Sequence, residues 1–207
     1  MAESKTKFVY SVHPGVAMVQ KWVATLPEKT GRSLDEWLAL IKREGPATEK
    51  ERRAWLKEKY SLGTNTASWL AERADGKGLE DVDPELNLQA AEKYVEAMFA
   101  GPKADLRPLY DALLTLGFAL GKDVKVCPGK TIVPLYRNHV FAQLKPSTRT
   151  RLDLGLALGD MPVPARLIDT GGFAKKDRIT HRIPISSLDD IDSEVKHWLK
   201  IAYDRDA

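Results

Sequence analysis

Apolar residues in the first part of the chain recur every three or four positions, which is the period of an amphipathic helix. Four segments show this spacing, and they begin at Gly15, at Ser33, at Thr48 and at Thr64 or Asn65. Ser33 and Thr48 are each followed three residues later by a glutamate. In this arrangement the hydroxyl and the carboxylate bind the free N–H groups at the start of a helix. The pattern predicts a small bundle of four short helices.

The second part of the chain combines helical and strand-like spacing. Residues 88–100 and 105–120 predict an antiparallel helix pair, whereas alternating apolar and polar residues predict strands within 131–136, 139–156 and 178–185. Ser187-Leu188-Asp189-Asp190 predicts the cap of a terminal helix. Because the connections between the strands are too short for parallel crossovers, we expect an α+β fold with a mostly antiparallel sheet.

Glycine and acidic residues interrupt the apolar repeat at residues 74–84. Such a composition is typical of turns and linkers. We therefore predict two domains, a helical domain at residues 1–78 and an α+β domain at residues 84–207.

The composition narrows the class of protein. An apolar content of 43% is sufficient for a buried core. No apolar run approaches the roughly 18–20 residues needed to cross a bilayer, and the first twelve residues lack the apolar centre of a signal peptide. We therefore expect a cytoplasmic protein without a membrane partner. The single cysteine, Cys127, excludes an intramolecular disulfide and a metal cluster built from cysteines.

Charge is unevenly distributed along the chain, although the net charge is only +3. Residues 122–182 carry 12 cations and 5 anions, whereas residues 79–121 carry 3 cations and 8 anions. The excess positive charge therefore lies in the predicted sheet, between acidic flanks.

The strand pair within residues 139–156 is the centre of that sheet. Its inward set is apolar and comprises Val140, Ala142, Leu144, Leu152, Leu154 and Leu156. By period-two alternation, we expect the outward set to form a cationic face with one aromatic ring, comprising His139, Phe141, Lys145, Arg149, Arg151 and Arg182. Such a face would suit phosphate contacts and base stacking. An ordinary solvated surface is the competing interpretation, since sheets often expose charges and Asp153 interrupts the patch.

Two other surfaces offer alternatives. The segments 50–60 and 65–73, joined by a tight glycine turn, resemble a helix-turn-helix, although the second segment has few cations to hold phosphate. The strand at 131–136 could form an exposed sheet edge for a homodimer or another protein partner.

Candidate catalytic and metal-binding residues are sparse. The four histidines, His13, His139, His181 and His197, show no close pairing in the sequence, and His181 fits a core position. No motif marks Cys127 as a nucleophile. We therefore expect no catalytic residue, no metal site and no cofactor.

Both halves of the chain resemble domains of unknown function. GRSLDEW and ERRAWLKEKYSLGTNTASWLAE in the helical half resemble one bacterial domain of this kind. PLYDALL, VPLYRNHVFAQLKP, TRLDLGLAL and ITHRIPISSLDDID in the second half resemble another, which occurs in predicted transport proteins and beside nuclease-like modules. A weaker similarity, in the final strand and helix, is to proteins with a frataxin-like sheet. The resemblance implies two domains and a bacterial origin but assigns no catalytic residues.

These observations favour a binding or adaptor protein over an enzyme. The leading hypothesis is association with nucleic acid through the basic sheet face, with the basic helix at residues 50–59 as a second contact. One alternative is a protein-interaction or homodimerisation module without catalysis. The other is a binder of a small ligand or metal with a frataxin-like sheet.

Overall fold

The computed structural model describes residues 9–163 and 166–207. Residues 1–8, which begin the segment assessed for a signal peptide, lie outside this description. The described residues form two compact units, which are the helical unit at Val12–Leu88 and the sheet unit at residues 9–11 with Gln89–Ala207. The division lies within a helix, a few residues after the boundary predicted between residues 78 and 84. Helices precede an antiparallel sheet, which confirms the α+β class.

The helical unit contains five α-helices in its described residues, one more than the sequence pattern predicts. They are α1 (Pro14–Ala24), α2 (Leu26–Thr30), α3 (Leu34–Glu44), α4 (Glu49–Tyr60) and α5 (Thr64–Arg73). Both predicted capping boxes are confirmed, at Ser33 with Glu36 and at Thr48 with Glu51. The buried side chains form a separate hydrophobic core that includes Trp37, Leu40, Ile41, Leu56 and Leu70.

The segment after α5 folds back over the Arg73 side chain at the end of that helix. The Arg73 side chain is only 1% exposed, and it forms an ion pair with Asp81 and donates to the Lys77 carbonyl at 3.0 Å. Gly78 adopts a left-handed conformation with φ of 66°, and a Cβ at this position would lie 2.0 Å from Arg73 Nη1. Gly78 therefore allows the chain to close around a buried guanidinium.

The sheet unit contains one antiparallel sheet and three α-helices in its described part. The helices are α6 (Pro84–Met98), which spans the division, α7 (Arg107–Ala119) and α8 (Ser193–Asp204). The strands are β1 (Lys125–Val126), β2 (Val133–Tyr136), β3 (Val140–Pro146), β4 (Leu152–Leu156), β5 (Ile168–Asp169) and β6 (His181–Ile185). Their spatial order is β1-β2-β3-β4-β6-β5, and every neighbouring pair is antiparallel.

Helices α7 and α8 belong to the same core as the inner face of the sheet. Gly117 of α7 lies so close to β2 that a Cβ would meet Leu135 Cδ2 at 2.4 Å. Tyr203 of α8 packs edge-on against Phe141, with ring centroids 5.5 Å apart. The predicted apolar set of β3 and β4 is buried apart from the partly exposed Val140, which supports the predicted inner face.

Two predictions about elements are wrong. The strand at residues 131–136 is not an edge, because β2 pairs with β1 on one side and β3 on the other. Ser187 caps a short 3-10 turn, Leu188–Asp190, and not the terminal helix. The cap of α8 is Asp192, whose carboxylate accepts hydrogen bonds from the Glu194 and Val195 N–H groups. An aspartate is an effective N-cap for the same reason as a serine, since its oxygen satisfies free backbone donors.

No helix among the described residues is both long enough and apolar enough to cross a membrane.

Candidate anion-binding groove

Asp153 occupies the centre of the predicted cationic sheet face. Its Oδ1 lies 3.0 Å from Arg151 Nε and 3.2 Å from Arg182 Nη1. Its Oδ2 accepts a hydrogen bond from Ser147 Oγ at 2.6 Å. The structure therefore brings Arg151 and Arg182 together, but it does so around a shared carboxylate that offsets their charge.

Phe141 does not belong to the outer face, so this part of the prediction is wrong. The register of β2 with β3 shifts after Leu135, so that Leu135 faces Ala142 while the next residue, Tyr136, faces Val140. Phe141 is the additional residue of this β-bulge, and a bulge breaks strict alternation. Its side chain is completely buried, in contact with Tyr203.

His139 lies at the opposite end of β3 from Lys145. Its backbone N–H donates to Asp206 Oδ2 at 2.7 Å, and its Nδ1 lies 3.1 Å from Asp206 Oδ1. Six residues of extended chain separate it from Lys145, or about 20 Å. The six predicted residues therefore do not form one continuous patch.

Lys145 and Arg149 line a groove that the alternation pattern did not indicate. Two further cations, Lys103 and Lys130, line the same groove, whose volume is about 600 Å³. The remaining lining residues are uncharged. They lie at the end of α6, in the segment after it, in the loop before β2 and at the β3–β4 turn, and they are Ala97, Met98, Ala100, Pro102, Thr131, Pro146 and Ser147. The groove therefore combines four positive charges with no acidic lining residue.

Two of the four cations make contacts with neighbouring groups, and the other two are exposed. Lys103 Nζ donates to the Pro146 carbonyl at 2.6 Å, which ties the segment after α6 to the end of β3. Lys130 Nζ lies 5.9 Å from the centre of the Tyr94 ring, within reach of a cation–π attraction. Lys145 and Arg149 are exposed and form no ion pair with any described acidic residue. Asp153 lies opposite Lys145 across the β3–β4 ladder, but its oxygens already contact Ser147 and the two arginines.

Sequence reasoning missed Lys103 and Lys130 because they lie outside the predicted strands. Lys103 follows Gly101-Pro102 in a 3-10 turn, and Lys130 follows Gly129 in the loop before β2. The only local signal was a lysine one or two residues after a glycine in each of the two segments. That signal cannot indicate that the loops meet, because nearly 30 residues separate them.

The basic helix predicted at residues 50–59 corresponds to α4, and its charge is partly offset. Three of its five cations form ion pairs within the helical unit, namely Arg52 with Asp75, Arg53 with Glu49 and Lys59 with Glu44. Lys50 and Lys57 are exposed. This helix is consequently a weaker candidate for phosphate binding than the groove.

Residues suited to metal binding or nucleophilic chemistry are dispersed. The described residues contain no group of three or more His, Cys, Asp or Glu side chains that could hold a metal ion. His181 is buried, with its ring nitrogens 2.9 Å from Thr180 Oγ1 and 3.1 Å from the Met161 carbonyl oxygen. Cys127 is also buried, and this burial raises the pKa of its thiol to about 11. At neutral pH the thiol is therefore almost entirely protonated and a poor nucleophile.

The sheet unit and its groove lie almost wholly within one family match. Residues 95–206 match the model described as Domain of unknown function (DUF5655), which covers just over half of the chain. The chain belongs to this family. All the residues that line the groove fall within its DUF5655 match.

The helical unit matches a second model. Residues 18–76 of this DUF5655-family chain match the model described as Domain of unknown function (DUF4287). The two matches confirm the expected resemblance of both halves to domains of unknown function. The DUF5655-family chain has no match among curated proteins. It also has no match among solved structures.

Proposed function

We propose that this chain associates with nucleic acid by binding the sugar–phosphate backbone in the groove lined by Lys103, Lys130, Lys145 and Arg149. The observation that carries the proposal is the convergence of these four cations, from three separate segments, on one groove without an acidic lining residue. Lys145 and Arg149 belong to the cationic set expected from the sequence, whereas Lys103 and Lys130 do not. The proposed contact is therefore the groove and not the outer face of the sheet.

The electrostatics of the groove favour a polyanion. Like charges on neighbouring surface side chains repel one another, and a bound phosphate relieves that repulsion. Lysine and arginine bind phosphate as charged donors, and arginine adds a planar pair of donors. Three of its four cations, Lys130, Lys145 and Arg149, are exposed, so a phosphate in solution can reach them.

Binding to a polyanion releases condensed counterions, so the affinity must fall steeply with salt. Four phosphate contacts predict a loss of roughly 100-fold in affinity between about 50 and about 200 mM salt. The measurement is fluorescence anisotropy with labelled single-stranded DNA, duplex DNA and RNA at both salt concentrations. Absence of binding to all three at the lower salt concentration would refute the proposal.

A double charge reversal tests whether the groove is the contact. Lys130→Glu with Arg149→Glu should weaken binding at least tenfold at low salt and lower the salt slope by about two, because each lost phosphate contact removes about one from the slope. Neither side chain forms an ion pair with a described residue, so the fold should be retained.

The matched control is Lys21→Glu with Lys196→Glu, which changes the net charge equally at exposed positions on α1 and α8. This pair should change the affinity much less. Equal losses in the two double variants would show that only net charge matters, and would exclude the groove as the contact.

A further inference from the structure

A second cationic pocket lies at the other end of β3 and β4, next to the loop at residues 170–180. Two backbone hydrogen bonds close this loop, each at 2.9 Å. At its base the Thr170 N–H donates to the Thr180 carbonyl, and nearer its tip the Asp177 N–H donates to the Gly172 carbonyl. The Lys176 N–H also donates to the Phe173 carbonyl at 3.1 Å. The loop tip is therefore held in a defined conformation.

The tip of this loop exposes an aromatic ring. Phe173 is 59% exposed, whereas Phe141 in the same unit is completely buried. Exposure of a large apolar side chain to water is unfavourable in free energy. The Phe173 side chain is exposed nonetheless, on a loop that hydrogen bonds hold in place. A planar ring in this position can stack against another planar group.

Three cations line the same pocket as Phe173, whose volume is about 660 Å³. They are Lys176, Arg178 and Arg205, and one acidic residue, Asp177, also lines it. Lys176 has a φ of 59°, a left-handed conformation that residues other than glycine seldom adopt. A strained backbone that presents a charged side chain to a pocket is a feature associated with functional sites.

Arg178 is positioned by buried and backbone acceptors. Its guanidinium pairs with Asp206, whose side chain is 2% exposed, and its Nε donates to the Val140 carbonyl at 3.0 Å. Even so, 48% of the Arg178 side chain remains exposed. Asp206 also contacts the ring of His139, so the histidine expected from the sequence lies beside this pocket.

We infer that this pocket binds one nucleotide of a single strand, with the base stacked on Phe173 and the adjoining phosphate near Lys176, Arg178 and Arg205. Aromatic rings beside a cationic surface are the usual means by which proteins hold single-stranded nucleic acid. A base within a duplex is already stacked on its neighbours and cannot stack on the ring. The inference rests on the association with nucleic acid in the proposed function, but not on the groove as its contact, and it narrows the ligand to single strands.

The two sites are spaced for one strand. The groove lies at the Lys145–Pro146 end of β3, since both residues line it. The pocket lies beside Phe141 at the other end of β3, since Ala157 lines the pocket and donates its N–H to the Phe141 carbonyl. Four to five residues of β3 separate these points, or about 15 Å. A strand of a few nucleotides spans this distance, within the 4–16 nucleotides typical of single-strand sites.

The test compares Phe173→Ala with the unchanged protein on a fluorescein-labelled oligothymidylate of about twelve nucleotides, its duplex with oligoadenylate and an abasic strand of equal length. Loss of base stacking should weaken binding to oligothymidylate by roughly 5- to 100-fold, with little change for the duplex or the abasic strand. Phe173→Trp should retain the affinity, and the fluorescence of the added indole should be quenched when oligothymidylate binds.

Leu188→Ala is the matched control, because Leu188 is 56% exposed and does not line the pocket. It should leave all three affinities unchanged. Equal affinity of Phe173→Ala and the unchanged protein for oligothymidylate would overturn the inference, and so would an equal loss with the abasic strand.

The failure of this inference and the failure of the proposed function are distinguishable. If Phe173→Ala has no effect while Lys130→Glu with Arg149→Glu weakens binding, the pocket is excluded and the groove stands. If Phe173→Ala selectively weakens oligothymidylate binding while the double reversal does not, the groove is excluded and the pocket stands.

Discussion

Single acidic residues decide which cations of this protein are available for a ligand. Asp153 pairs with Arg151 and Arg182, whereas Lys145 and Arg149 have no described acidic partner. An exposed ion pair contributes little to stability, but it reduces the field that a phosphate experiences. The ligand-binding capacity of the sheet unit therefore depends on where its few carboxylates point.

His13 is a residue whose protonation should affect the stability of the helical unit. Its Nδ1 accepts a hydrogen bond from the Gly15 N–H at 2.9 Å and so caps α1. Burial lowers the pKa of His13 below its ordinary value, and the nearby Asp81 carboxylate only partly opposes this effect. Because the unfolded chain then binds the proton more readily, stability is greatest above about pH 6.5 and falls as the pH decreases toward the lowered pKa.

Replacing His13 by Asn should remove this pH dependence. Asn is an effective N-cap that does not titrate, and an N-cap contributes about 1 kcal/mol. Urea unfolding followed by tryptophan fluorescence at pH 7.5 and 5.5 should show a smaller difference for His13→Asn than for the unchanged protein. His197→Asn, at an exposed position on α8, is the control and should leave the difference intact. Equal pH dependence in all three proteins would exclude the cap as its source.

At the scale of the elements, the direction of the chain changes at the end of a helix and at one β-bulge. Helix α4 ends at Tyr60 and is capped by Ser61, which adopts a left-handed conformation with φ of 53° while its N–H donates to the Leu56 carbonyl. Glycine is the usual residue at such helix ends because it lacks the Cβ that makes this conformation costly. The bulge in β3 has a similar local effect, because one additional residue redirects Phe141 into the core.

Ser61→Gly should therefore stabilise the helical unit by about 0.5–1 kcal/mol. The measurement is the urea midpoint followed by tryptophan fluorescence, since Trp22, Trp37, Trp55 and Trp69 all lie in this unit. The control is Ser68→Gly, the same substitution inside α5, which should destabilise by a similar amount because glycine weakens a helix interior. The same sign of change in both variants would contradict the role assigned to Ser61.

At the scale of the whole molecule, the described residues form two hydrophobic cores. One surrounds Trp37 and Leu70 in the helical unit, and the other lies between the sheet and helices α7 and α8 in the sheet unit. Each unit thus has buried apolar surface of its own, which is the basis of independent stability.

Cavity-forming substitutions should affect one unit at a time. Leu70→Ala and Leu154→Ala each remove a completely buried side chain and should each cost about 2–5 kcal/mol. Hydrogen exchange followed by mass spectrometry should show faster exchange within Val12–Leu88 for Leu70→Ala, and within Gln89–Ala207 for Leu154→Ala. Faster exchange in both units for either variant would show that the two cores unfold together.

The sequence by itself determined the capped helix starts at Ser33 and Thr48, the class of fold and the inner positions of β3 and β4 other than Phe141. Ser33, Thr48 and their glutamates act within one turn of helix, and Leu144, Leu152 and Leu154 follow a two-residue period, so neighbouring residues contain the necessary information. Both resemblances to domains of unknown function also rest on contiguous residues.

Only the tertiary structure decided which side chains meet. The inward turn of Phe141 depends on a register shift against β2, and the pairing of Arg182 with Asp153 depends on β6 lying beside β4. Lys103 and Lys130 join Lys145 and Arg149 because two loops and a turn converge, and Phe173 joins Arg205 in the same way. Contacts between distant residues depend on how whole elements pack, and packing is not encoded within any local window of sequence.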